Sequence, residues 1–199
     1  MAATQISRKG FGQVEANHLS AQHTGQIYAQ LPCADSITQL ENGTFAKYDY
    51  ANGEVNFTGD GEFMLVMNEI KNYDERYQGL KDFAYRVEDF TPGDNEIKHE
   101  GIGPFPGAMY PRLLKTNVGD IFTTNTFGGN NTSRTATVAG ISLDVGDFLA
   151  VGTDGFLAKT IATTFDDAVT EVAGQPLFKV VKVYTMPDSQ PGVKIQRVA

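Results

Sequence analysis

The chain has 199 residues, 41% of them hydrophobic, and sets 16 Lys and Arg against 24 Asp and Glu for a formal charge of −8. It is long and apolar enough for one larger domain or two small ones with a buried core, and its negative balance argues against phosphate-backbone binding or an anionic membrane surface as its main business. One cysteine, Cys33, excludes an intrachain disulfide framework. Residues 1–22 lack the apolar run of a signal peptide, and no stretch approaches the ~20 apolar residues of a membrane span, so synthesis in a reducing cytosol is the expectation.

In chain order, residues 1–25 are polar and without sustained period, and are read as an extended or flexible N-terminal arm. Residues 26–107 form a first β-rich half and residues 108–199 a second, or the two are one continuous domain. In the first half Asn42-Gly43 marks a turn, Phe45–Tyr50 a strand, and Ala51-Asn52-Gly53 a second turn. Val55-Asn56-Phe57 alternates, and Gly59-Asp60-Gly61 leads into Phe63–Met67, a pattern that predicts a meander of three short strands. Tyr73, Tyr77, Leu80, Phe83, Ala84 and Val87 recur at three- and four-residue steps, which fits a short helix near 73–88 or an irregular crossing; Gly79 weakens the helix by about 1 kcal/mol. The Gly/Pro-dense stretch 91–107 is the boundary between halves.

The second half repeats a phrase. Val118-Gly119-Asp120 and Val145-Gly146-Asp147 each precede an alternating apolar run, pairing a residue free to take positive φ with an Asp able to bond the backbone nearby. The two copies are either a structural repeat or ordinary turn punctuation. Val145–Thr160 reads as a β-hairpin turning at Thr153-Asp154-Gly155, Thr135–Ala139 as a strand, and Phe165–Ala168 as a short polar or helical piece. The strands Leu177–Met186 and Val193–Val198 close the chain; the first, apolar on both faces, is expected at the centre of a sheet. With 21 glycines punctuating short strands, the fold class is mainly β: antiparallel barrel or sandwich units, at most one or two short helices, and the N-terminal arm.

Chemistry-bearing patterns are sparse. His18 and His23 stand five apart, on opposite faces of a strand, and His99 is remote from both. Cys33 has no basic neighbour and reads as a buried, inert thiol. Asp60, Asp120, Asp144, Asp147 and Asp154 sit in turns, where turn formation explains them better than a calcium loop lacking a closing Glu. Glu54, Glu62 and Glu69 flank the meander and are the one carboxylate set a glycan hydrolase could use. The expectation is no catalytic residue, no metal site, no cofactor and no enzymatic activity.

Leu40-Glu41-Asn42-Gly43-Thr44-Phe45, Tyr73-Asp74-Glu75 with Leu80-Lys81-Asp82-Phe83, Tyr110-Pro111-Arg112-Leu113 followed by Val118–Asn125, and the C-terminal unit around Asp154-Gly155 together resemble the auxiliary capsid proteins, also called decoration or head proteins, of tailed bacteriophages. The resemblance spans about residues 30–198, and the half before the Gly/Pro-rich boundary is extra relative to the smallest decoration proteins. It implies a β-rich virion protein on the capsid exterior, made in the host cytoplasm. Its partners would be the major capsid protein and copies of itself, a trimer among the arrangements open, with no nucleic acid or membrane. A head-fiber or tail-associated carbohydrate-binding module is the alternative. The arm 1–25 is expected to reach a neighbouring subunit, and its deletion to leave the melting of the fold intact.

Overall fold

The computed structural model describes residues 4–9, 12–21, 28–37, 39–67, 84–86, 110–128, 137–186 and 189–199. Among the described residues fourteen strands run β1 (Thr4–Lys9), β2 (Val14–His18), β3 (Gln39–Glu41), β4 (Phe45–Asp49), β5 (Glu54–Asn56), β6 (Met64–Val66), β7 (Ala84–Arg86), β8 (Leu113–Leu114), β9 (Ile121–Thr124), β10 (Thr137–Leu143), β11 (Phe148–Val151), β12 (Leu157–Lys159), β13 (Leu177–Thr185) and β14 (Pro191–Arg197). Among the same residues an α-helix, α1 (Phe165–Val172), stands between β12 and β13. The fold is mainly β, as composition and punctuation imply. The strands make an antiparallel six-stranded sheet ordered β12-β11-β13-β14-β9-β2, a four-stranded sheet ordered β5-β4-β6-β8, and the pairs β1-β10 and β3-β7.

The period of two in the strands sorts their side chains into layers. In β11, Leu149 faces the main core while Phe148 faces α1; in β13, Phe178 and Val180 face the core while Leu177 faces α1. The main core is gathered from the whole chain: Ile6 and Leu19 near the start, Phe45 and Leu65 from the four-stranded sheet, Phe122, Phe178 and Ile195 from the six-stranded one. Phe45, Phe122 and Phe178 meet with ring centroids 5.4 to 6.3 Å apart, an edge-and-tilt geometry that aromatic rings favour over face-to-face stacking. A second core lies on the other face of the four-stranded sheet, where Cys33, Ile37, Tyr48, Val55 and Leu113 pack together. Residues 26–107 and 108–199 thus share the main core and are stitched by β8, which pairs with β6.

Four expectations change. The N-terminal segment is extended, but it is not a free arm: β1 pairs with β10, β2 forms an edge of the six-stranded sheet, and Ile6 and Leu19 are each 1% exposed. Polar residues alternate there with a few buried apolar ones, too sparse to register as a period. The three strands near Phe45 are not a meander in space, because β6 pairs with β4 and not with β5, leaving β4 between them. At 84–86 the chain is the strand β7, whose pairing with β3 prevails over helical spacing; the rest of 73–88, and 91–107, lie outside the described residues. Finally, β13 is internal to its sheet as expected, yet Lys179, Val181 and Lys182 are exposed, so one face meets solvent beyond the reach of α1.

Candidate interaction surfaces

The repeated Val-Gly-Asp phrase is a structural repeat. In the first copy the Asp120 carboxylate accepts from the Asn117 amide at 2.8 Å and the Asp120 amide donates to the Asn117 carbonyl at 2.9 Å. In the second copy Asp147 and Asp144 make the same two bonds at 2.8 and 3.2 Å. Gly119 and Gly146 take φ of 98° and 99°, the left-handed region where glycine bears no Cβ penalty. Each glycine donates to a carbonyl of the central hairpin, Arg197 or Val180, and the Asp carbonyl of each turn accepts from that same residue. The strands that follow, β9 and β11, then pair with β14 and β13. Since β13 and β14 are antiparallel, a local two-fold relates the copies, with Phe148↔Lys179 corresponding to Ile121↔Gln196. The frame points an apolar tip outward at each site: Val118 is 69% exposed and Val145 65%.

Polar groups are turned inward. Glu41, 1% exposed, accepts from the Gly12 amide at 2.7 Å, and the Gln13 amide donates to Asn125 Oδ1 at 2.8 Å. Thr124 Oγ1 donates to the Gln13 carbonyl at 2.6 Å and lies 2.8 Å from Thr126 Oγ1. These bonds lock three separate segments, and a cleft of about 290 Å³ opens beside them, lined by Glu41, Thr44, Phe57, Asp154 and Phe156. Asp154 is engaged as a turn residue there, accepting from the Phe156 amide at 3.2 Å.

A second inward group joins the C-terminus to the rest. Arg197 donates to Glu62 Oε2 at 2.8 Å and to the Thr116 carbonyl, while Lys115 Nζ lies 2.9 Å from Glu62 Oε1. Burial pushes the Glu62 carboxyl up, but hydrogen bonds and charge from Arg197 and Lys115 outweigh it and hold the group below its ordinary value. A carboxylate held this way is a structural ion pair. Sequence reading did not anticipate it, because the partners stand 135 residues apart.

The remaining sequence candidates scatter. Cys33 is buried, and desolvation, with the Glu54 carboxylate second, pushes its thiol up to about 12. Glu54 bonds Asn56, Glu62 serves Arg197, and Glu69 lies outside the described residues, as do His23 and His99. Asp120, Asp147 and Asp154 bond turn amides, in line with the turn reading. Among the described residues no three His, Cys, Asp or Glu side chains gather as a metal set, and no helix is long and apolar enough to cross a membrane.

The exposed apolar residues were the less legible part. Ile161, in the loop before α1, is 93% exposed, and Phe165 and Val169 of α1 are 46% and 36% exposed. The spacing of four between Phe165 and Val169 is a sequence signal, but Ala168 and Val172, which α1 buries, have the same spacing, and only packing tells the two pairs apart. Elsewhere Tyr50 is 63% exposed and its ring centroid lies 5.6 Å from that of Tyr48. Comparison with protein-family models, curated proteins and solved structures finds no match to this chain.

Proposed function

We propose that the chain is a non-enzymatic structural protein of a phage virion, bound to the outer surface of the capsid and bracing the shell lattice. The observation that carries this reading is an inversion of polarity. Glu41, Asp120, Thr124 and Arg197 are buried and engaged within the molecule, whereas Val118, Val145 and Ile161 project into solvent from hydrogen-bonded frames. Exposed apolar side chains on pre-ordered turns are suited to docking on another protein, since little conformational entropy is left to lose. The resemblance to decoration proteins supplies the kind of partner: the major capsid protein, with neighbouring copies of this chain. Bracing then needs no chemistry, because a protein that binds only the assembled shell raises the cost of dismantling it by RT ln(1 + [L]/Kd) per site.

Quantitative mass spectrometry of particles of the virus that encodes the chain tests the reading. A simple whole-number ratio to the shell subunit is the expected result; absence from the particle overturns it. One observation favours a second reading, a host-facing carbohydrate-binding module at special vertices or on the tail. Exposed Tyr50 follows Asp49 in the chain, and the Asp49 carboxylate accepts from the Asn52 amide at 3.0 Å and from the side chains of Asn52 and Asn56 at 2.9 and 3.0 Å. An exposed aromatic ring and a turn of ordered amides and a carboxylate on one loop are the materials of sugar contacts, and a glycan array that lights up with wild type and not with Tyr50→Ala would establish it.

A further inference from the structure

Asn-Gly occurs twice in the chain, at Asn42-Gly43 and Asn52-Gly53, and the fold treats the two steps in opposite ways. Glycine carries no side chain to hinder its amide nitrogen, and both glycines take the positive φ of a turn, 92° and 70°. At the first step Asn42 is 2% exposed and the Gly43 amide donates to the Val66 carbonyl at 2.9 Å, which commits its nitrogen to a bond inside the molecule. At the second, Asn52 is exposed in the loop that joins β4 to β5, and the Gly53 amide has no acceptor among the described residues. A Cβ added at Gly53 meets nothing within 4 Å, so the step is open to solvent.

The loop also holds the Asn52 side chain in place. The Asn52 amide and Nδ2 donate to Asp49 Oδ1 and Oδ2 at 3.0 and 2.9 Å, and Asn56 Nδ2 adds a third bond at 3.0 Å. These bonds, that of the Asn52 amide foremost, hold the Asp49 carboxyl below its ordinary value. The frame of the loop therefore depends on Asn52 remaining a donor.

We propose that Asn52-Gly53 is a site of self-modification, where the chain converts an exposed amide to a carboxylate without an enzyme, while the fold protects Asn42-Gly43. The Gly53 nitrogen gives its proton to solvent base and attacks Asn52 Cγ. The new bond closes a cyclic imide as the Cγ–Nδ2 bond breaks, and the nitrogen leaves as ammonia after taking a proton from water. Water then opens the ring at either of its carbonyl carbons, giving aspartate or isoaspartate; nothing is oxidised or reduced. Either product replaces a donor to Asp49 with a second carboxylate, which repels the first. Isoaspartate also lengthens the main chain between Asp49 and Glu54, the pair that closes the loop. The loop that carries Tyr50 thus gains a negative charge and loses a bond of its frame.

The test is timed incubation of the purified full-length chain at mildly alkaline pH, followed by tryptic digestion and mass spectrometry with fragmentation. Cleavage after Lys47 puts Asn42 in peptide 10–47 and Asn52 in peptide 48–71. The expected result is a mass gain of OH for NH2 at Asn52, resolved into two isomeric products. Asn42 should convert at least about tenfold more slowly, because it reacts only after local opening, and in denaturant the two should convert at similar rates. Gly53→Ala, whose added Cβ is unopposed and whose folding thermal melting checks, should slow conversion of Asn52 about tenfold by hindering the attacking nitrogen. Equal rates at Asn42 and Asn52 in the folded chain would overturn the protection, and an Asn52 that converts only in denaturant would overturn the site. A rate unchanged by Gly53→Ala would overturn attack by that amide.

Discussion

Individual residues carry stability here through two kinds of constraint, left-handed backbone and buried charge. Gly155 has φ of 80°, and a Cβ there would run into the Phe45 carbonyl oxygen and come within 2.8 Å of the Phe57 ring. Gly119 has φ of 98° but nothing within 4 Å of an added Cβ. Gly155→Ala should therefore cost about 3 kcal/mol or more, adding a steric clash to strain, and Gly119→Ala only about 1 kcal/mol from strain. Denaturant midpoints compare the two directly, and equal losses would show that the Phe45 backbone yields. Glu62 governs a pH limb. Its folded pKa lies below the ordinary 4.5, so its contribution is present above about that pH and is lost as pH falls through the lower, folded value. Glu62→Gln should lower stability at neutral pH and flatten the acid limb of a stability–pH profile relative to wild type. An unchanged acid limb would assign acid sensitivity to other carboxylates.

At the scale of elements, the two Val-Gly-Asp turns share one frame but not one environment. Asp120 is 1% exposed and its carboxylate also accepts from the Ser20 amide and hydroxyl, which ties the turn to the end of β2. Asp147 is partly exposed and, among the described residues, adds the ion pair with Lys159. Asp120→Ala strips an acceptor from three donors in a buried setting and should cost about 2–3 kcal/mol, whereas Asp147→Ala loses one turn bond and an exposed pair, about 1 kcal/mol. Chemical denaturation of the two variants checks the order, and the reverse order would mean that the Ser20 tie contributes little. These turns, and the hairpin β11–β12, were legible in the sequence because Gly-Asp and Thr-Asp-Gly act within a few residues. The pairing of β6 with β4 was not legible, because turn chemistry says where a strand ends and not which neighbour it takes. The burial of Asp120 was equally hidden, since it depends on Ser20, one hundred residues away.

For the molecule as a whole, the N-terminal segment is the decisive case. Removing residues 1–25 would take out β1 and β2 together with buried Ile6, Val14, Leu19 and Ala21. At roughly 1.5–3 kcal/mol for each large apolar side chain, the loss rivals the 5–15 kcal/mol net stability typical of a domain. The truncated chain should lose its cooperative thermal transition, and retention of wild-type melting would show that the two strands are dispensable. By itself the sequence determined the β class, the positions of turns, the inert setting of Cys33 and the duplicated turn phrase, because each follows from local backbone preference and a period of two. Only the tertiary structure decided that a polar leading segment is built into the sheets, that Glu62 and Arg197 pair across the chain, and that Phe165 and Val169 of α1 are exposed while Ala168 and Val172 are buried. Those outcomes depend on which distant segments meet, and a residue's own type and spacing carry no record of its partner.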